Sequence, residues 1–346
     1  NLTDTVMWYR KHFKLANLKG RKVFVEFEGI RQGGDFYING EHVGIHENGV
    51  MAVGLDITKY AVEGENVIAV RVDSDWDYRE RATRQKYQWC DRNFNANYGG
   101  IPKNVWLHLT DNVYQTLPLY SNLQTTGVYV YASDIHIKHR RAVINAESEV
   151  KNESSAPRTL GYRVTIKDIE GKTVKTFYGA KQTIAAGAKA TLKASAAVGG
   201  LHFWSWGYGY LYTVETELID EQENAFDRVL TRTGFRKTRF AEGKFWLNDR
   251  VLQIHGYAQR TSNEWPAVGM SVPAWLSDYS NNLVVESNGN LIRWMHVMPW
   301  KQDVESCDRV GLLQAMPAGD AEKDVTGNRW IPRTQLMRDA ILYNRN

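Results

Sequence analysis

Through the first third of the chain, hydrophobic and polar residues alternate with a period of two. Val23, Val25 and Phe27 alternate with Phe24, Glu26 and Glu28, the pattern of a strand with one buried face. Phe36 to Val43 carries Asn39-Gly40 at its centre. That pair tolerates the positive φ angles of a type I′ turn, so a hairpin is predicted there. Ile68, Val70 and Val72 repeat the alternation against Ala69 and Arg71. Short strands without an amphipathic helix among them predict a β-sandwich.

A second alternating block runs from about Val128 to Arg236. Tyr162, Val164 and Ile166 face one side, Arg163, Thr165 and Lys167 the other, and Tyr212, Val214, Thr216 and Leu218 form another set. Between them Lys181 to Gly200, rich in Ala, Gly and Lys, predicts a weak edge strand and a loop. Roughly 100 residues of this kind suit an immunoglobulin-like sandwich.

The pattern then changes. Val251 to Gly256 predicts a strand, and about Pro273 to Asn288 a helix with Leu276, Tyr279 and Leu283 at helical spacing. Asn290 to Trp294 is a second strand. Asp303 to Arg309 is a short helix closed by Gly311, and Leu312 to Ala315 a third strand. A last helix is predicted at about Arg333 to Tyr343. Strand–helix alternation describes βα units and hence a parallel sheet or barrel. A complete eight-fold barrel takes roughly 250 residues, and 106 remain from Ala241 onward. The expected architecture is therefore multidomain: a β-sandwich over 1–125, an immunoglobulin-like β-sandwich over 126–238, and over 239–346 the start of a (β/α)8 TIM barrel, truncated.

Composition narrows the function classes. The chain is 43% hydrophobic and 24% charged, and no apolar run approaches the roughly 20 residues that span a bilayer. Its net charge of +4 is spread along the sequence, and Lys138-His139-Arg140-Arg141 is too short for a nucleic-acid footprint. Neither nucleic acid nor membrane is expected as a partner, and a homo-oligomer is compatible with the sequence. Cys90 and Cys307 stand far apart, which argues against a disulfide framework or a Cys-rich metal site. Twelve Trp and 18 Tyr stand out, and such rings both fill sandwich cores and stack on sugars. Gly171-Lys172-Thr173 lacks the first Gly of a P-loop, and Gly207 to Tyr212 lacks the third Gly of a dinucleotide loop.

Seven segments, in order, resemble glycoside hydrolase family 2. Trp8-Tyr-Arg-Lys-His-Phe13 is similar to the opening strand of that family's jelly-roll, sugar-binding type domain. Phe36 to Gly44 resembles its Asn-Gly hairpin, and Gly100-Ile-Pro-Lys-Asn-Val-Trp106 its closing strand. Trp204 to Thr213 resembles the signature of its immunoglobulin-like domain. Phe245 to Gly256, Asn290 to His296 and Cys307 to Leu313 resemble the entries into barrel strands 1, 2 and 3.

The resemblance implies a retaining, exo-acting glycoside hydrolase, foremost a β-galactosidase on oligo- or polysaccharide-derived galactosides. A β-glucuronidase or β-mannosidase of the same family is the alternative within the fold, and a non-catalytic carbohydrate-binding protein the alternative outside it. Such enzymes place two Glu residues about 5–5.5 Å apart. The resemblance implies that both follow Asn346, so no catalytic residue is assigned here and the chain alone is expected to be inactive. It implies substrate-binding roles for Arg293 and His296, at the end of strand 2 where barrel active sites are built. A structural Arg–carboxylate pair and a core histidine are the alternatives. Asp320, Arg260, Glu264 and Asn95, on loops, are further substrate-binding candidates. Met316 and Pro317 stand where relatives carry an acidic pair, so no metal site and no cofactor is expected. Resemblance to polysaccharide-degrading enzymes implies a periplasmic or secreted protein.

Overall fold

The computed structural model describes residues 5–75, 77–82, 84, 99–259, 268–295, 298–317 and 330–346. The first part contains β1 (Val6–Leu15), β2 (Arg21–Phe27), β3 (Gly33–Ile38), β4 (Glu41–His46), β5 (Val53–Asp56), β6 (Gly64–Asp73) and β7 (Val105–Asp111). They form two antiparallel sheets, ordered β1-β6-β3-β4 and β5-β2-β7. Val23, Val25, Phe27, Phe36, Ile38, Val70 and Val72 fill the space between them, as the alternation requires. At the β3–β4 hairpin Asn39 and Gly40 take φ of 52° and 90°, the positive values of a type I′ turn. β2 is a different matter. Glu26 and Glu28, on its predicted solvent face, are only 5% and 6% exposed, because the last part of the chain covers that face.

The second part contains β8 (Val113–Gln115), α1 (Tyr120–Leu123), β9 (Val128–His136), β10 (Arg141–Asn152), β11 (Arg158–Lys167), β12 (Thr173–Tyr178), β13 (Gln182–Ile184), β14 (Lys189–Val198), β15 (Tyr212–Ile219) and β16 (Ala225–Thr233). One sheet runs β14-β10-β8, with β9 also paired to β10, and the other runs β12-β11-β15-β16, with β13 also paired to β11. Ile144, Ala146, Val164, Ile166, Val214 and Leu218 are fully buried between them. Tyr162 Oη and Ser148 Oγ lie 2.7 Å apart, and Gln115 Nε2 donates to Thr216 O, so buried polar groups here find partners. The stretch expected to hold a weak edge strand contains the edge strand β14, which is ten residues long and paired with β10 along its length. Ala190, Leu192, Ala194 and Val198 point inward while Lys189, Thr191 and Lys193 point out. The period of two outweighs alanine's low strand propensity.

The last part opens with the meander β17 (Thr238–Ala241), β18 (Lys244–Leu247) and β19 (Arg250–Val251). It continues as β20 (Gly256–Gln259), α2 (Ala274–Glu286), β21 (Leu291–Trp294), α3 (Lys301–Val310), β22 (Leu313–Ala315) and α4 (Trp330–Asn344). The strand expected over Val251–Gly256 is thus split between β19 and β20. β20, β21 and β22 are parallel. Ile292 and Trp294 of β21 pack with Cys307, Val310 and Leu312, and with Val284 and Val285 of α2. α2 buries Leu276, Ser277 and Asn281, whereas Tyr279 and Leu283 of the expected stripe lie exposed. Asn281 Nδ2 donates to Ser306 Oγ at 2.8 Å and joins α2 to α3.

The loop before β15 ties the second sandwich to these helices. Trp204 Nε1 donates to Asp308 O at 2.8 Å, Trp206 Nε1 to Gly289 O at 2.9 Å, and Gly207 N to Gly311 O at 2.9 Å. A Cβ on Gly209 would collide with the backbone of Asp308 and Arg309. Overpacking of this kind costs about 1–3 kcal/mol. Gly209→Ala is therefore expected to lower the urea unfolding midpoint, whereas Gly171→Ala, at a turn where a Cβ meets nothing, lowers it only through its φ of 83°.

Candidate functional site

The C-terminal ends of the parallel strands β20, β21 and β22 form one rim, and in α/β folds such rims are where ligands bind. Arg293 of β21 is paired with Ala258 of β20 and Ala315 of β22. Residues paired across a sheet share a face, so two methyl groups flank the long Arg293 side chain and leave it room. It lies on the face opposite Ile292 and Trp294, is exposed, and makes no ion pair or hydrogen bond with the described residues. Trp294, by contrast, donates its Nε1 to Gln314 Oε1 at 2.9 Å and anchors β21 to β22. Of the other expected binding residues, His296, Asp320, Arg260, Glu264 and Asn95 lie outside the described residues. No grouping of three or more metal-ligating side chains occurs among the described residues.

The first sandwich reaches this rim. Val50 and Met51, before β5, pack with Met298, Leu336 and Ala340, and Met298 lies shortly after β21. The Trp300 ring sits so close to Gly29 that a Cβ there would strike it. Lys103 Nζ donates to Gln302 Oε1 at 3.2 Å and lies 5.8 Å from the Trp300 ring centroid. Burial pushes the Lys103 pKa below its usual 10.5 against the opposing pull of Asp303 and Glu28.

At the centre of this seam are two carboxylates, Glu26 of β2 and Glu28 just after it. His108 Nε2 is 2.8 Å from Glu26 Oε2, and Tyr343 Oη donates to Glu26 Oε1 at 2.6 Å. Trp106 Nε1 donates to Glu28 Oε1 at 2.8 Å, and Lys301 Nζ lies 3.9 Å from the same oxygen. Burial alone would raise the Glu26 pKa. The His108 hydrogen bond, the Lys301 charge and the Tyr343 hydrogen bond outweigh it and hold the pKa below its usual 4.5. Sequence reasoning placed Glu26 and Glu28 in water. The signal that they are buried is Trp106 and His108, which repeat the same period on the neighbouring β7.

Two cavities adjoin these elements. A cleft of about 640 Å³ lies between the second sandwich and the parallel strands, lined by Tyr129, Tyr131, Arg236, Phe240, Asp308 and Leu313 among others. Burial pushes the Asp308 carboxyl up to about 6, against the nearby Arg236 charge. A smaller polar cavity of about 130 Å³ is lined by His46, Glu47, Asn48, Ser121 and Asp339, with Ser121 bonded to Asp339.

Two β-sandwiches are thus followed by parallel βα units, with the first sandwich seated at the strand rim. Residues 128–236 match the profile described as "Glycosyl hydrolases family 2", and residues 2–108 the profile described as "Glycosyl hydrolase 2 galactose-binding domain-like". The chain belongs to glycoside hydrolase family 2. It is 35% identical over 345 residues to a β-glucuronidase of Formosa agariphila, a match covering 98% of this chain and 34% of that protein. It is 28% identical to a β-galactosidase of Bacteroides ovatus, covering 100% of this chain and 38% of that one. A solved family 2 β-glucuronidase superposes with a TM-score of 0.89 at 35% identity, over 99% of this chain and 36% of that one. A solved β-galactosidase-like protein of Bacteroides fragilis, at 24% identity and TM-score 0.83 over 99% of this chain and 49% of that one, shares the fold. The chain thus spans about a third of the length of the first two curated relatives.

Because the folded pKa of Glu26 lies below its unfolded value, its contribution to stability is complete above pH 4.5 and is lost as pH falls through the folded value. Glu26→Gln is expected to lower the urea midpoint at pH 7. The gap between variant and parent should then narrow as pH drops below 4.5. An equal gap at every pH would show that the carboxylate charge is not what holds the seam.

Proposed function

We propose that the protein is a retaining, exo-acting β-glycosidase that releases terminal β-glucuronide residues from oligo- or polysaccharides. One observation carries the sugar class: the match at 35% identity along 98% of the chain to a protein named β-glucuronidase. The expected β-galactoside is the second reading, supported by the match at 28% identity to a β-galactosidase, over 100% of this chain and 38% of that protein. In this proposal β20, β21 and β22 open a (β/α)8 barrel, the first sandwich is a jelly roll and the second is immunoglobulin-like.

Arg293 is proposed to bind the substrate. Its guanidinium pairs with a carboxylate through two parallel N–H bonds, which suits either a uronate or a catalytic carboxylate. Its exposed position at the end of β21, flanked by Ala258 and Ala315, supports this role. His296, Asp320, Arg260, Glu264 and Asn95 are proposed to complete the sugar pocket around it. The chemistry needs two carboxyl groups, one protonating the leaving oxygen while the other attacks the anomeric carbon.

The test is to assay the whole natural polypeptide on p-nitrophenyl β-D-glucuronide and β-D-galactoside, following the anomer released. Preference for the glucuronide with retention is the expected result. Preference for the galactoside moves the assignment to the second reading, and hydrolysis of neither overturns both. Arg293→Ala should lower kcat/KM about 30- to 150-fold, which corresponds to ~2–3 kcal/mol for a lost charged hydrogen bond. Its melting temperature should stay unchanged, since the side chain is exposed.

A further inference from the structure

The sheet β1-β6-β3-β4 has its outer face on the side of the first sandwich away from the rim. Residues that share this face are read from the register. Trp8 is opposite Arg71, which is opposite Asp35, and in the next row Arg10 is opposite Ala69, which is opposite Tyr37. Trp8 is 61% exposed, which is unusual for the largest side chain, highly buried on average. Nor does it stand alone. Its ring centroid is 5.7 Å from that of Tyr37, and Tyr37 is 5.1 Å from His42 at a steep angle. The small Ala69 between the strands lets the Trp8 and Tyr37 rings converge above it.

The polar side chains of this face divide into two kinds. Asp35 is held by Arg81 at 2.8 Å, by Arg71 at 3.4 Å and by His42 at 3.5 Å, and Arg71 also meets Asp73 at 3.3 Å. That network fixes the floor of the platform. Arg10, exposed beside the rings, has no ion pair or hydrogen bond with the described residues. His12 and Lys14 continue the same face of β1 beyond it, so the strand presents Trp8, Arg10, His12 and Lys14 in a line spaced by about 7 Å. His12 Nδ1 is taken up by Glu65 Oε1 at 3.1 Å, which leaves Arg10 and Lys14 as the cationic donors of the line. Rings beside these donors suit a ligand with apolar C–H faces and anionic groups, and two such cations are too few for a nucleic-acid footprint.

We propose that this face is a carbohydrate-binding platform, separate from the strand rim, that holds a uronate-bearing polysaccharide with a pyranose stacked on Trp8 and Tyr37 and a carboxylate on Arg10. The choice of uronate rests on the glucuronide reading above, while the platform itself rests on the register, exposure and pairing of these side chains. Its role is to keep a polymer near the protein while its ends are trimmed elsewhere.

Affinity electrophoresis tests the platform, with gels containing hyaluronan, which carries one glucuronate per disaccharide, or a neutral β-galactan. The chain is expected to be retarded by hyaluronan, with apparent affinity falling at least tenfold in Trp8→Ala and in Arg10→Ala, while Trp8→Phe stays within about threefold. Melting temperatures of these surface variants report whether they fold. Three results would overturn the proposal: no retardation of the parent chain by hyaluronan, retardation untouched by Trp8→Ala, or equal retardation by the neutral galactan. Hydrolysis of p-nitrophenyl β-D-glucuronide by the whole polypeptide should be unchanged in Trp8→Ala. Loss of that hydrolysis in the parent with retained hyaluronan binding defeats the catalytic reading and leaves the platform standing.

Discussion

Taking a carboxylate out of water costs several kcal/mol unless cations and donors replace its hydration, and the end of β2 and the residue after it take two out of water. Glu26 and Glu28 sit on the outer face of a sheet, where a free sandwich would present them to solvent. They are covered because α3 and α4 bring Lys301 and Tyr343 onto them while β7 contributes Trp106 and His108. The geometry of the last part of the chain follows from that requirement. Lys301 and Tyr343 lie on different helices, so both must be docked before Glu26 and Glu28 gain these partners, and Glu28 Oε2 stays buried without a hydrogen bond among the described residues.

This seam controls the rim because the residues that follow β21 belong to both. Met298 packs against Val50 and Met51, and Trp300 against Gly29, within a few residues of Arg293. A shift of the first sandwich would drag the end of β21 with it. The position of the rim therefore depends on a sheet that contributes none of the parallel strands.

Legibility in the sequence followed the reach of the interactions. The period of two found the strands of both sandwiches, and Asn39-Gly40 found a hairpin, since these signals lie within a few residues. Gly311 marked the end of α3 for the same reason, with its φ of 79°. The burial of Glu26 was not legible, because its partners Tyr343 and Lys301 are hundreds of residues away. Likewise the inward stripe of α2 was misplaced. Tyr279 and Leu283 have helical spacing, but which face is covered is decided by Ser306 meeting Asn281, a contact between two helices. For the candidate site, the sequence placed Arg293 on a strand, whereas its flanking Ala258 and Ala315 emerge only when the parallel register is known.

The two seams of the last part differ in kind. The second sandwich is held by indole N–H groups and backbone amides donating to backbone carbonyls, at Asp308, Gly289 and Gly311. None of those groups titrates in the ordinary range. The first sandwich is held by the packing of Met298 and Trp300 and by the Glu26 carboxylate, whose pKa its partners hold below the usual 4.5. Acid therefore acts unequally on one molecule. Protonating Glu26 removes the charge that Lys301 and His108 answer, while the indole contacts are untouched, so the first sandwich is the part that loosens. That sandwich is also the one seated on the rim, so acid reaches the end of β21 through Glu26, a residue that lies on none of the parallel strands.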